Sequence, residues 1–348
     1  MHKGMLRIWS KHPMTTLLLK GEERMRIGIL GAADIAKRRF LPAMEMINDL
    51  HFQGVAVSST DRVDAGKEIV EKYGGQVYVG YEQLLEDEEV DAVYVPLPPS
   101  LHYKWAKKAL LSGKHVFLEK PSTTSLEETL ELIQIADERN LVLVENYGFS
   151  QHPQIKMIQD IIESKRLGDV RNVRTAFGFP RRSDMDIRHS KELGGGALLD
   201  AGGYTIHAGL VFLGETAEVE SITLNYLDDF DVDMYGCLTM KNNEGQTLQA
   251  MFGMDCFYKC ELEVWLEKGY IRAPRFYTAP PDLEPEVIVS SREGEEVMKA
   301  EKTDQFAQRI KFFVECCNDE IKRKQCYNSI AGQMRQLDKA IKLGRNGE

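Results

Sequence analysis

Lys120 stands where the run His115-Val116-Phe117-Leu118-Glu119 stops reading as a strand and Pro121 forbids its continuation. Open α/β sheets bind ligands just beyond the carboxyl ends of their strands, so an ammonium there can touch a cofactor and a substrate together. Further on, Gly194-Gly195-Gly196-Ala197-Leu198-Leu199-Asp200-Ala201-Gly202-Gly203-Tyr204-Thr205-Ile206-His207 reads as a helix from about Ala197. That register puts Asp200, Tyr204 and His207 at i, i+4 and i+7 on one face, with Leu199, Ile206, Leu210 and Leu213 on the opposite, packed face. A carboxylate, a phenol and an imidazole in one stripe can bind hydroxyls and move protons. Each glycine costs such a helix roughly 1 kcal/mol relative to alanine, and close approach of a ligand or a backbone is the usual compensation. Plainer readings stay open: Lys120 as a solvated turn residue, Tyr204 as a hydrogen-bonded core tyrosine, Asp200 as a cap, and His207 as a satisfied, half-buried histidine.

The elements that would hold these groups alternate from residue 25 to 145. Strand candidates at 26–30, 52–57, 76–79, 92–95, 115–118 and 141–144 are separated by helical stretches, the pattern of a doubly wound parallel sheet. The helix at 125–138 opens with Ser125 and Glu128 in capping-box spacing. After Pro153 the pattern changes to one helix, a strand at 170–179, a charged loop and the glycine-rich helix. Strands at 219–227, 234–240, 247–254, 260–266 and 286–290 follow at hairpin-like spacing, and helices at 304–317 and 330–343 close the chain. The expected architecture is α/β: an N-terminal Rossmann-type doubly wound parallel sheet over 25–145, and a C-terminal α+β domain with a mostly antiparallel sheet over 146–348. The last helices are free to pack back on the first domain.

Directly after the first strand, Gly31-Ala32-Ala33-Asp34-Ile35-Ala36 is a Gly-x-Gly-x-x-Ala fingerprint whose middle glycine has become Ala33. Gly31 permits a tight turn, and the helix from Asp34 and Ile35 offers amides and a positive dipole end to a pyrophosphate. At the tip of the second strand, Ser58, Ser59 and nearby Arg62 suit a 2′-phosphate better than ribose hydroxyls, which favours NADP(H) and leaves NAD(H) open. The same hydroxyls also fit an ordinary helix cap. Pro96, Leu97 and His102 beyond the fourth strand, and Glu119 with Lys120 beyond the fifth, complete the expected cofactor-binding set.

At 43% hydrophobic and 28% charged, the composition is that of a soluble globular protein, and a net charge of -10 argues against a nucleic-acid partner. Six cysteines without Cys-x-x-Cys pairs or histidines at metal spacing argue against a metal and for free thiols in a reducing, cytoplasmic setting. No segment approaches ~20 apolar residues, so no membrane partner is expected. Residues 1–24 read as a disordered extension, with Met25 as the alternative start.

The fingerprint, Glu119-Lys120-Pro121 and the Gly-Gly-Gly-Ala-Leu-Leu-Asp-Ala-Gly-Gly-Tyr helix together resemble the Gfo/Idh/MocA family of sugar and polyol oxidoreductases, from about Met25 to the last helix. The resemblance implies Lys120 as the motif lysine, Asp200 as the helix aspartate and Tyr204 as the acid-base residue, with His207 where many members have aspartate. Residues 31–43, Val95-Pro96-Leu97-Pro98, Phe179-Pro180 and Asp186-Ile187-Arg188 are similar to NDP-hexose 3-ketoreductases, which reduce a 3-keto sugar nucleotide with NADPH. Pro99 and Ser150 depart from the family pattern, where many members have asparagine and arginine. The expected reaction is hydride transfer to a sugar ketone with Tyr204 donating the proton. A charge ~4 Å from the phenol is worth about 4 kcal/mol, or roughly three pK units, so Lys120 is expected to make the phenol more acidic. Arg188 and His207 join Asp200 as expected substrate contacts; Arg181 and Arg182 belong equally well to a solvated loop.

Two other activities share this pattern: an NAD(P)-dependent sugar or polyol dehydrogenase working oxidatively, and a non-catalytic cofactor-sensing regulator. The expected partners are a sugar or sugar-nucleotide substrate and further copies of the chain, as a homodimer or homotetramer.

Overall fold

The computed structural model describes residues 24–345, so the expectation for the N-terminal extension lies, apart from Arg24, outside the described residues. Six strands, β1 (Met25–Leu30), β2 (Leu50–Val57), β3 (Gln76–Val79), β4 (Ala92–Val95), β5 (His115–Leu118) and β6 (Leu143–Glu145), form one sheet in the order β3-β2-β1-β4-β5-β6. Every pairing in it is parallel. All four residues of β4 are buried, as a central strand covered on both faces requires. The covering helices are α1 (Leu41–Met44), which continues a π-helical turn at Ala36–Phe40, then α2 (Val63–Tyr73), α3 (Tyr81–Glu86), α4 (Pro99–Leu111) and α5 (Leu126–Glu138). The Ser125 hydroxyl caps α5 by accepting from the Glu128 amide at 3.5 Å.

Beyond α6 (Pro153–Glu163), an eight-stranded sheet has the order β14-β13-β12-β11-β7-β10-β9-β8. Its strands are β7 (Val170–Gly178), β8 (Glu218–Tyr226), β9 (Asp233–Lys241), β10 (Thr247–Gly253), β11 (Lys259–Leu266), β12 (Gly269–Ala273), β13 (Glu286–Ser291) and β14 (Gly294–Lys299). Only β7 and β10 pair in parallel. The inner face, with Val173, Leu238, Leu248, Phe252 and Val264, packs on α7 (Gly203–Leu213) in one core.

Two strands, β12 and β14, escaped the sequence reading. β12 is five residues long and opens on glycine, while β14 is a largely exposed edge strand beginning Gly-Glu-Glu, so neither carries a strong apolar alternation. The final helix also begins earlier than expected. α8 (Gln305–Asn318) and α9 (Glu320–Arg345) return to the first sheet: Ile310 and Phe313 pack with Phe40 and Phe117, and Tyr327 and Ile330 with Val116. Met334 and Leu337 of α9 lie in the second core, so one helix ties both sheets together. Lys191–Leu213 has the length and apolarity of a membrane span, but 67% of its most apolar window is buried inside the protein.

Candidate active site

Lys120 lies two residues beyond the end of β5, joined to Pro121 by a cis peptide bond, and its side chain is 11% exposed. The opposing wall is the glycine-rich segment, which enters α7 through a π-helical turn at Leu198–Gly202. The two walls meet in an ion pair: the Lys120 ammonium donates to Asp200 Oδ1 and, at 3.1 Å, to the Asp200 carbonyl oxygen. Arg188 Nε donates to Asp200 Oδ2 at 2.6 Å, and Arg188 Nη1 donates to Asp186 Oδ1 at 3.0 Å. The four side chains form an alternating array of charge, Lys120, Asp200, Arg188 and Asp186. Burial raises the Asp200 carboxyl, but the Lys120 and Arg188 charges outweigh it and hold the group well below the usual carboxylate range. For Arg188, burial opposes the charge and the two aspartates restore it.

The Tyr204 ring lies 5.0 Å from Lys120 Nζ, within cation–π range. Phe177, Tyr147 and Phe149 surround it with centroid separations of 4.9, 5.2 and 5.7 Å, which fixes the ring plane. Burial pushes the phenol well above 10, and the carboxylates of Glu119 and Asp200 add to the effect. This corrects the expectation of an acidified phenol: the Lys120 hydrogen bonds go to Asp200, and the phenol answers to burial and two nearby carboxylates.

His207 is a second correction. The correction concerns burial and not face: the His207 ring meets Tyr147 and Phe149, as the Tyr204 ring does, so the two share one side of α7. His207 is 7% exposed, stacks on Tyr147 at 4.6 Å, and places Nδ1 3.2 Å from Gln333 Oε1. Burial lowers its pKa to about 3, as befits a core imidazole rather than a substrate contact. His102, expected beside the cofactor, is fully buried. Its Nε2 lies 2.7 Å from the Leu97 carbonyl and its Nδ1 2.8 Å from the Pro121 carbonyl, so the ring ties the loops after β4 and β5 together. It supports Leu97 and Lys120 from behind.

Glu119 is part-buried and accepts from Tyr94 Oη at 2.6 Å and Asn146 Nδ2 at 2.8 Å; burial raises its pKa. Glu145, at the end of β6, accepts from the Ser122 amide at 2.6 Å and is pushed by burial up to about 7. Its carbonyl takes two bonds from Arg309 of α8, at 2.6 and 3.1 Å. Sequence reasoning missed Tyr94, Asn146, Glu145, Arg309 and Tyr147. A carboxylate and an amide adjoining in Glu145-Asn146 at a strand tip were the available signal; Arg309, distant in the chain, gave none.

A dinucleotide fits the adjoining end of the first sheet. Gly31 has φ +102°, and a side chain there would press on Leu97 at 3.0 Å, so the turn after β1 requires glycine. The helix that follows opens with bonds from the Ala36 and Lys37 amides to the Ala33 carbonyl, at 3.0 and 3.3 Å, which leaves the Asp34 and Ile35 amides at its positive end. Ala33 is half-buried, Asp34 is exposed and pairs with Arg38 at 2.5 Å, and buried Pro96 and Leu97 form the wall beyond β4. Ser58, Ser59 and Arg62 are all exposed at the tip of β2, open to an anionic group. Gly31, Ala33, Asp34, Ile35, Ser58, Ser59, Arg62, Pro96 and Leu97 would hold the cofactor from these positions. All six cysteines are free thiols, and among the described residues no three His, Cys, Asp or Glu side chains converge as a metal would require.

Residues 25–147 match the family profile described as oxidoreductase family, NAD-binding Rossmann fold, and residues 155–272 match the GFO/IDH/MocA C-terminal domain. The chain is 38% identical over 291 residues to dTDP-3,4-didehydro-2,6-dideoxy-α-D-glucose 3-reductase of Actinomadura kijaniata, covering 84% of this chain and 87% of that protein. It is 30% identical over 293 residues to D-xylose 1-dehydrogenase (NADP+) 2 of Haloferax volcanii, covering 83% and 88%. A crystal structure of a 3-ketoreductase from Actinomadura kijaniata with NADP and TDP-benzene superposes with a TM-score of 0.86 at 35% identity, over 92% of this chain and 98% of that one. Variants of that ketoreductase with one lysine or one tyrosine replaced have been solved too, and the two replaced positions lie as far apart in its chain as Lys120 and Tyr204 do here.

Proposed function

The chain belongs to the GFO/IDH/MocA family of oxidoreductases, and on that premise we propose that it reduces the 3-keto group of a dTDP-linked deoxyhexose with NADPH, Tyr204 acting as proton donor. The observation that carries the reading is the meeting of Lys120, Asp200 and Tyr204 at the carboxyl end of β5, beside a turn shaped for a dinucleotide. The shared spacing of lysine and tyrosine with the ketoreductase solved with NADP and TDP-benzene supports it.

NADPH, when bound, supplies the hydride. The remaining work falls to the protein. A phenol held above its ordinary range stays protonated across the working pH and is ready to donate. An alkoxide is ordinarily a stronger base than a phenolate, which favours transfer from Tyr204 to the developing sugar oxygen, and the raised phenol narrows that advantage. Lys120, 5.0 Å from the ring centre and bonded to Asp200, holds the β5 tip against the helix that carries the phenol. Asp200, kept ionised by Lys120 and Arg188, is an acceptor for a sugar hydroxyl. Arg188, bound to Asp200 and Asp186, is partly exposed and can add a contact to the diphosphate.

An oxidative sugar dehydrogenase is the second reading, favoured by the likeness to an NADP-dependent xylose dehydrogenase. Incubating the protein with NADPH and a dTDP-3-keto-2,6-dideoxyhexose, and separately with NADP+ and free aldoses, tests both. Loss of NADPH absorbance with the first substrate alone supports the ketoreductase; turnover with free aldoses alone replaces it with the dehydrogenase.

We also propose a cytoplasmic homo-oligomer. The outer face of the second sheet carries Met251 at 50% and Trp265 at 59% exposure, an apolar surface suited to a second copy. Light scattering that gives a dimeric or tetrameric mass supports this, and a monomer at micromolar concentration contradicts it.

A further inference from the structure

We propose that Asp233 is a positioning residue for this reaction: its carboxylate caps the first turn of the helix that carries Asp200 and Tyr204, and so sets where both groups stand. The inference rests on the reduction assigned above.

The helix cannot cap itself. Gly194-Gly195-Gly196 precede it without side chains, and neither Ala197 nor Gly202 supplies a side-chain cap to the segments they open. The acceptor comes instead from the first residue of β9, where Asp233 Oδ2 accepts from the Leu198 amide at 2.6 Å. The Ala197 amide lies near enough to favour the ionised form of this carboxyl.

The glycines make this approach possible. Gly196 has φ +114°, and a side chain on it would collide with Asp233 Oδ1. A side chain on Gly195 would collide with the Arg188 carbonyl, which itself accepts from the Gly196 amide at 2.9 Å. The triple glycine is therefore the contact surface for two backbone-facing acceptors, one from the Arg188 loop and one from β9.

The cap lies close to the chemistry. The Asp200 amide bonds the Gly196 carbonyl at 3.1 Å, so the turn held by Asp233 is the turn from which Asp200 projects. Burial pushes the Asp233 carboxyl up to about 6, opposed only by backbone amides. Among the described residues no cation shares in holding it. Its hydrogen bond to the Leu198 amide is directed at the helix start.

Asp233→Ala and Asp233→Asn, compared with the parent chain by hydrogen exchange over residues 197–204 and by steady-state kinetics, test the proposal. Asparagine keeps an acceptor oxygen and alanine does not. In Asp233→Ala, exchange should quicken roughly tenfold and kcat should fall at least about tenfold, with KM and the NADPH Kd within about threefold. Asp233→Asn should return both exchange and kcat to within about threefold of the parent. Unchanged exchange in Asp233→Ala, an unchanged kcat beside quickened exchange, or an asparagine variant as impaired as alanine would each overturn it. If alanine does not fold, Asp233→Asn alone decides, since a tenfold loss of kcat there contradicts the cap. If the parent chain does not reduce the keto sugar, the function assignment fails, while exchange still decides whether Asp233 holds the helix.

Discussion

Lys120 and Asp200 are joined twice, the ammonium donating both to the Asp200 carboxylate and to its backbone carbonyl at 3.1 Å. One bond orients a side chain and the other grips the helix, so Lys120 locks the β5 tip to the opposite wall of the cleft. The pair is largely shielded from water, at 11% and 16% side-chain exposure, where removing one partner leaves an expensive unpaired charge.

Lys120→Ala should therefore impair more than charge. We expect kcat to fall by about 10²-fold or more and the NADPH Kd to rise, because the wall beside the nicotinamide loses its tie. Fluorescence titration of NADPH alongside steady-state rates checks both; a kcat within threefold of the parent contradicts the placement.

Arg62 stands exposed beside Ser58 and Ser59 at the tip of β2. Charge-assisted bonds to phosphate are worth about 1.5 to 3 kcal/mol, so Arg62→Glu should weaken NADPH binding roughly 10- to 100-fold. NADH affinity should change far less. Equal losses for the two cofactors in a titration would remove Arg62 from the 2′-phosphate site.

His207 packs on Tyr147 and meets Gln333 in the core. His207→Ala should cost about 2 to 4 kcal/mol of stability through the lost stack and the unpaired amide. KM for the sugar nucleotide should stay within about twofold. A denaturant titration with paired kinetics separates the outcomes, since a large KM effect with unchanged stability would return His207 to the substrate site.

Buried imidazoles dominate the acid side of the stability profile. Burial lowers His102, His115 and His152 to about 4 and His207 to about 3, whereas the unfolded chain takes up these protons near 6.5. The unfolded state then binds more protons between those limits, so stability is full above about pH 6.5 and is lost as pH falls toward 4. Glu145 and Asp233, raised to about 7 and about 6, and Glu119 and Glu128, also raised by burial, titrate in the opposite sense and temper the slope without reversing it. Melting temperatures at half-unit steps should rise from pH 4.5 to 6.5 and then level; a flat profile below 6.5 contradicts this account.

The alternating apolar runs made the first sheet legible, because parallel strands covered on both faces leave an unbroken hydrophobic signature. Lys120, Asp200 and Tyr204 were legible for a related reason: each sits where an element ends or where glycine breaks its own rule. Two kinds of fact were not readable. The burial of His207 depends on Tyr147 and Gln333 arriving from other elements, and the state of the Tyr204 phenol depends on Glu119 and Asp200 arriving from different elements. Asp233 was invisible for the same reason, since it reaches the helix from a strand far along the chain.

Tyr204 carries the central claim, and its conversion to phenylalanine tests it with the least disturbance to the surrounding aromatic cage. Single-turnover oxidation of bound NADPH by a dTDP-3-keto sugar should slow by about 10² to 10⁴-fold in Tyr204→Phe, with the NADPH Kd unchanged. A rate within threefold of the parent would show that the proton comes from elsewhere.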